Sequence, residues 1–193
     1  MMATTHGFVA LAAATLALPV LSEYVSAPVV LTVAFLGGVA PDLDLAAVHR
    51  RTLHFPVLGP VSAVVAGAMA IAVPTQWTVA AAVFLGGAAL HASSDVLGGS
   101  AEHEPWNPTT ERGVYNHALG RWHRPRRVVP YSGAPADLLF AAPFAAVTVL
   151  STATGRSADG TVLALFVGSA GYVLVRKRLG AVVAALQRTL PIR

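Results

Sequence analysis

Long unbroken apolar blocks, at roughly 7–22, 25–41, 55–73, 77–92, 135–153 and 160–175, constrain this chain more than any other feature. Each approaches the ~20 residues that a helix needs to cross a hydrocarbon core of about 30 Å. Backbone amides find no water in such a core, and a helix satisfies them within one segment. Only 11% of the 193 residues are charged, against about 25% in soluble domains. The pattern predicts an all-α, polytopic transmembrane helix bundle of about six helices, a single membrane domain over residues 1–193, in the cell membrane. Local breaks support the boundaries. Pro41 with Asp42 and Asp44 ends the second block, and Pro74-Thr75-Gln76 separates the third from the fourth. Pro135 and Asp137 open the fifth in a favourable first-turn arrangement. The first block is short and carries Pro19, but no Lys or Arg precedes it, as a signal-peptide n-region requires.

Charge gives the orientation. Arg50 and Arg51 lie in the connection between blocks 2 and 3. Arg112, Arg121, Arg124, Arg126 and Arg127 lie between blocks 4 and 5, and Arg176, Lys177, Arg178, Arg188 and Arg193 follow block 6. Only Arg156 falls on the other side. Lys and Arg concentrate in cytoplasmic loops, so both termini are expected in the cytoplasm. The net charge of +4 is then a topology signal rather than a sign of nucleic acid, and membrane lipid is the expected partner. The absence of cysteine excludes disulfides and thiolate metal sites. One long cytoplasmic loop, about 93–134, is rich in Pro, Gly, Trp, His and Arg. Loops of that length without regular structure are usually functional or disordered. Its Trp106 and Trp122 suit a lipid interface or a cover over a substrate.

With this topology the chemistry-bearing residues fall at one membrane level. His6 precedes the first helix, Asp42 and Asp44 close the second, His49 and His54 lead into the third, and His91 and Asp95 end the fourth. His91 and Asp95 are four apart and share a helix face. A pair of ligands from one helical turn can hold a cation, as in helical zinc motifs. Mixed His and Asp donors suit zinc, manganese or iron better than magnesium, which prefers oxygen alone. Any one of these residues by itself is more readily a helix cap or an interfacial polar group; their number is what argues for a shared site. Glu102, His103 and Glu104 form a further acidic-imidazole group in the long loop, equally consistent with joining the site or with solvation. His117 and His123 read as loop or headgroup contacts.

At these residues the sequence resembles the YdjM-like family of membrane-bound metal-dependent hydrolases. The matching pieces are Gly38-Val-Ala-Pro-Asp-Leu-Asp44, His49-Arg50 followed by His54, Gly87-Ala-Ala-Leu-His91 with Asp95, and His6 before the first block. They run in order over residues 6–95, about half the chain. The resemblance implies Asp42, Asp44, His49, His54, His91 and Asp95 as the site and hydrolysis as the reaction, with no defined substrate. Two departures stand out. Leu53 sits where the family commonly has Thr or Ser before the second His. The short Thr/Gly/Pro stretch usual after Asp95 gives way to a long segment including Glu102-His-Glu-Pro-Trp-Asn-Pro108, an elaboration of a haloarchaeal kind.

The expected assignment places a divalent ion, zinc or manganese, on Asp42, His54, His91 and Asp95, with His6 beside them. Asp44 and His49 complete the shell or handle protons, and Arg50 holds an anionic group, because guanidinium pairs bidentately with phosphate. A phosphoester or lipid-linked small molecule, cleaved by metal-activated water, is the favoured substrate. The rivals are a polytopic transporter, which would want polar residues along a path through the bilayer midplane, and a non-catalytic membrane scaffold.

Overall fold

The apolar blocks fold as helices, and turn chemistry sets most of their ends. The computed structural model describes residues 1–102, 104–151 and 154–189. Among these the α-helices are α1 (Ala3–Leu21), α2 (Ala27–Val39), α3 (Leu58–Ala72), α4 (Gln76–Ser94), α5 (Pro135–Leu150) and α6 (Arg156–Thr189). Short 3-10 segments, Ala40–Ala46 and Asp95–Leu97, prolong α2 and α4. Thr75 starts α4 with a reciprocal capping box to Thr78. Proline occupies the first turn of α2 and of α5, where no amide partner is lost.

Among the described residues, four helices are long and apolar enough to cross a membrane: α1, α2 extended to Leu45, α4 extended to Leu97, and α6 over Arg156–Val182. The helices α3 and α5, with 15 and 16 residues, are shorter than the expected blocks. The end of the expected fifth block, 152–153, lies outside the described residues. Helix α6 starts earlier and runs on past the expected end at 175. Arg176-Lys177-Arg178 ends the apolar run, but Arg and Lys are good helix formers and do not stop the helix.

Helix α1 is central, packing on α2, α4 and α5, while α3 packs on α4 and α6 on α5. Phe8, Leu11, Leu18, Val30, Ala34, Val79, Ala141 and Val162 belong to the core. Glycine lets α2 and α4 close on each other. A side chain at Gly37 would overlap the Phe84 carbonyl, and a Cβ on Gly87 would lie 2.8 Å from the Ala34 carbonyl oxygen. The outside is apolar: α3 has no buried residue, with Val64 72% and Ile71 84% exposed. The buried charged residues and histidines, by contrast, lie at one end of the bundle. Asp137 at the start of α5 is one of them. It accepts from the Met2 amide (2.7 Å), the Thr5 hydroxyl (2.8 Å) and the Gly133 amide (3.0 Å), clasping the start of α1 to α5.

The long loop is more ordered than its composition suggests. An antiparallel ribbon pairs β1 (Tyr115–Asn116) with β2 (Arg121–Trp122). Backbone bonds tie the loop to the end of α4 through Arg126 to Val96 and Arg127 to Gly98, and to the Arg50 carbonyl through the Tyr115 amide. The Glu102 carboxylate accepts from the amides and hydroxyls of both Thr109 and Thr110.

Candidate metal centre

Three structural features bring the donors together. The 3-10 turn begun by Pro41 has three residues per turn, so Asp42 and Asp44 leave it in different directions. Helix α4 presents His91 and Asp95 one turn apart. The connection into α3 carries His54 back over both. His54 Nε2 lies 3.0 Å from His91 Nε2, 3.2 Å from Asp95 Oδ2 and 3.7 Å from Asp42 Oδ1. His91 Nε2 lies 3.4 Å from Asp42 Oδ1 and 3.7 Å from Asp95 Oδ2. Donors placed ~2.0–2.1 Å from a zinc ion at tetrahedral corners stand about 3.3 Å apart, within the span of these separations. His54, His91 and Asp95 are buried, and Asp42, 14% exposed, is the most accessible of the four.

Both imidazoles are held with the coordinating nitrogen inward. His54 Nδ1 donates to Asp44 Oδ2 at 3.0 Å, and His91 Nδ1 donates to the Gly38 carbonyl at 2.6 Å. Those acceptors cannot donate in return, so each Nδ1 carries the proton. Neutral rings then present two bare Nε2 atoms to each other beside two carboxylates. Such an arrangement calls for a proton or a metal ion between the donors, and a carboxylate or carbonyl behind each ring is the usual support of a metal-bound histidine. The electrostatics of His54 carry the same message. Burial disfavours its charged form, but hydrogen bonds to Asp42, Asp44 and Asp95 outweigh that and raise the imidazole to about 10. The pocket therefore calls for positive charge, and its buried His and Asp groups can hold a metal ion.

No family model, curated protein or solved structure matches the chain.

The geometry therefore carries the site by itself. Of the expected ligands, Asp42, His54 and His91 form one close donor group, and Asp95 Oδ2 lies 3.2 Å from His54 Nε2 and 3.7 Å from His91 Nε2. His6 stacks on His91 with ring centroids 3.7 Å apart and bonds the other side of Asp95, with Nε2 3.1 Å from Oδ1. Its Nδ1 lies 3.0 Å from the Ser94 hydroxyl. His6, His91 and Asp95 form one of three close donor groups, and Asp44, His49 and His54 another. Asp44 links the two loop histidines, its Oδ1 lying 2.8 Å from His49 Nδ1. Burial lowers the His49 imidazole, an effect only partly offset by the bond to Asp44 and reinforced by Arg50.

Arg50 differs most from expectation. It is buried in a left-handed backbone conformation (φ 59°), with Nε 3.3 Å from Asp95 Oδ2 and an Nη1 bond to the Gly99 carbonyl. Its guanidinium holds Asp95 in place, although it also borders the cavity described next. Glu102 and Glu104 belong to none of the donor groups, and His103 lies outside the described residues. His117 packs between Phe55 and Tyr115, and His123 bonds Asn116.

A cavity of about 1250 Å³ opens beside the donors, bordered by Asp42, His49 and Arg50. Arg112, Trp122 and Arg176 also line it; the sequence offered Trp122 as a lipid-interface group or a cover over a substrate, and neither arginine as a site residue. Each belongs to a basic or aromatic loop segment or helix end that reads first as a topology or interface signal. Trp106 packs near this wall, with Arg176 5.0 Å above its ring.

Proposed function

We propose that this chain is a multi-pass cell-membrane hydrolase that cleaves a phosphoester or lipid-linked ester at its cytoplasmic face. The proposed site uses a divalent ion, zinc or manganese, held by Asp42, His54, His91 and Asp95. The reading agrees with the resemblance to YdjM-like membrane hydrolases. The observation that carries it is the close group of Asp42, His54 and His91 with Asp95 beside both imidazoles, which are oriented from behind by Asp44 and the Gly38 carbonyl. Membrane placement is supported by the apolar exterior and the four long helices. Cytoplasmic placement is supported by Arg50, Arg112 and Arg176 gathering at the donor end while Arg156 starts α6 at the other.

An ion bound there supplies Lewis acidity and a nucleophile from water near neutral pH. The chain's own residues do the rest. His49 lines the cavity, is 30% exposed, and gives its Nδ1 proton to Asp44, which leaves Nε2 free to accept a proton from an incoming water. Burial lowers its basicity and so favours the neutral ring. Arg50 and His6 hold Asp95 from two sides. Arg112 and Arg176 take the anion-holding role expected of Arg50, since they border the same cavity.

Elemental analysis of purified full-length protein tests the reading. Wild-type protein should carry stoichiometric metal, and Asp42→Ala/His91→Ala should lose it while its helical circular dichroism is unchanged. Metal-replete wild-type protein should hydrolyse at least one member of a phosphoester and lipid-ester panel. Equal metal content in the two proteins, or an inert replete protein, would overturn it.

A further inference from the structure

Charge in the long loop is gathered on its ribbon. From Arg112 to Arg127 the chain carries five arginines and no acid. Two of them have partners close by: Arg127 pairs with Glu111 at 2.9 Å, and Arg112 stacks over Trp122. Arg121 and Arg126 are exposed, and among the described residues neither forms an ion pair. Arg51, also exposed, stacks over Tyr115 of the ribbon, 4.5 Å from its ring.

Backbone bonds fix the level at which these charges stand. The amides of Arg126 and Val129 donate to the carbonyls of Val96 (3.0 Å) and Leu97 (3.2 Å), and Leu97 ends the membrane span that α4 begins. The Tyr115 amide donates to the Arg50 carbonyl at 2.9 Å, shortly after the α2 span ends at Leu45. A loop pinned by its main chain to two span ends lies in the head-group layer that borders the hydrocarbon core.

The same stretch exposes bulky apolar side chains. Leu119 at the ribbon tip is 58% exposed, and Val128 is 61% exposed. The tip is built rather than frayed. Buried Asn116 accepts from the amides of Ala118 (3.0 Å) and Leu119 (3.1 Å), and Gly120 takes the left-handed conformation (φ 62°) that closes the turn. An ordered turn that holds a leucine outward among unpaired arginines has the composition of an interfacial element, with apolar groups in the acyl boundary and cations on the head groups. An acidic protein would meet the same charges, but it gives no reason for their place level with the span ends.

We infer that the ribbon and the strand after it, 115–128, form a docking element for anionic lipid head groups of the cytoplasmic leaflet. Arg51, Arg121 and Arg126 meet the lipid phosphates, and Leu119 and Val128 enter the acyl boundary. The inference rests on the cytoplasmic membrane placement proposed above and not on hydrolysis. It joins the leaflet to the donor end, because the same ribbon brings Trp122 to the cavity and is bonded to the backbone of Arg50.

The chain has no cysteine, so a single introduced one can carry a nitroxide. Full-length Leu119→Cys protein, spin-labelled, is placed in phosphatidylcholine vesicles with or without phosphatidylglycerol, and collision with a neutral, water-soluble nickel chelate is read by electron paramagnetic resonance. The label should be shielded with phosphatidylglycerol and open to the chelate without it. Adding Arg121→Gln/Arg126→Gln should lower the ratio of shielded to open label by about fivefold per arginine, the worth of one basic residue at an anionic surface. Molar salt, which cuts the screening length to about 3 Å, should act in the same direction. Asp42→Ala/His91→Ala should leave the pattern unchanged, which separates docking from the metal reading. A label at Leu163→Cys on the exposed face of α6 should be shielded in both vesicles; a label open to the chelate there removes the membrane placement and the inference with it. With Leu163→Cys shielded, a Leu119→Cys label open in both vesicles, or shielded in both and insensitive to salt and to the glutamine pair, overturns the inference. So does shielding that appears only when a soluble acidic protein is added, because the ribbon then serves a protein partner.

Discussion

Glycine does opposite work in the two halves of this molecule. Between α2 and α4, Gly37 and Gly87 are occupied space: any side chain there meets the backbone of the neighbouring helix. The close approach they permit places the Gly38 carbonyl behind His91. On α6, Gly160 and Gly168 face nothing. One pair lets two helices close beside a polar site, and the other lies on an exposed helix face. Small residues in an apolar helix therefore carry no fixed meaning. Their role is decided by whether a partner backbone comes within reach.

The largest effect that can sharpen this contrast lies at the seam between the halves. His49→Ala should lower kcat by ~10²–10⁴-fold, the usual worth of a positioned general base, while metal content stays at the wild-type level. Metal lost along with activity would mean that His49 belongs to the closed half as a structural member. Next in size, Gly87→Ala should destabilise the protein by about 1–3 kcal/mol, the typical cost of overpacking, and weaken metal retention in a chelator titration. Its counterpart Gly168→Ala should leave retention unchanged and raise thermal stability by up to about 1 kcal/mol, from helix propensity alone. Two alanines with the same effect would break the comparison.

The smallest effect concerns the loop over the donor end. Burial is the largest single influence on the Glu102 carboxylate and raises it, but hydrogen bonds from the amides and hydroxyls of Thr109 and Thr110 together outweigh it and lower the group to about 2. A carboxylate lowered on folding contributes above its ordinary value, and that contribution fades as pH falls through its folded value. Amide exchange at Thr109 and Thr110 should thus stay protected at neutral pH and lose protection between about pH 4 and 2. Glu102→Gln should show faster exchange at neutral pH.

Much of the donor set was legible because helix ends are. Proline, aspartate and the four-residue spacing of His91 and Asp95 place groups at a membrane level without any knowledge of packing. What a linear pattern does not contain is direction. Asp42 and Asp44 look alike in sequence, yet the 3-10 turn sends one to the donor cluster and the other behind His54. Arg50 looked like an anion holder, and its left-handed backbone turns it onto Asp95. Helix lengths were legible only as apolar runs, so α6, whose basic stretch continues the helix, was drawn too short. The cavity was invisible because it depends on which faces of distant segments fail to touch. No carbonyl, Gly38 included, declares itself in a side-chain alphabet.

The Asp137 clasp sets an order on biogenesis. Every converging donor is synthesised by residue 95, but the group that fastens the start of α1, and with it the stretch leading to His6, comes more than 40 residues later. A nascent chain halted after its fourth helix would hold the whole coordinating set with α1 packed on α2 and α4, yet without the bonds from Asp137 to Met2 and Thr5.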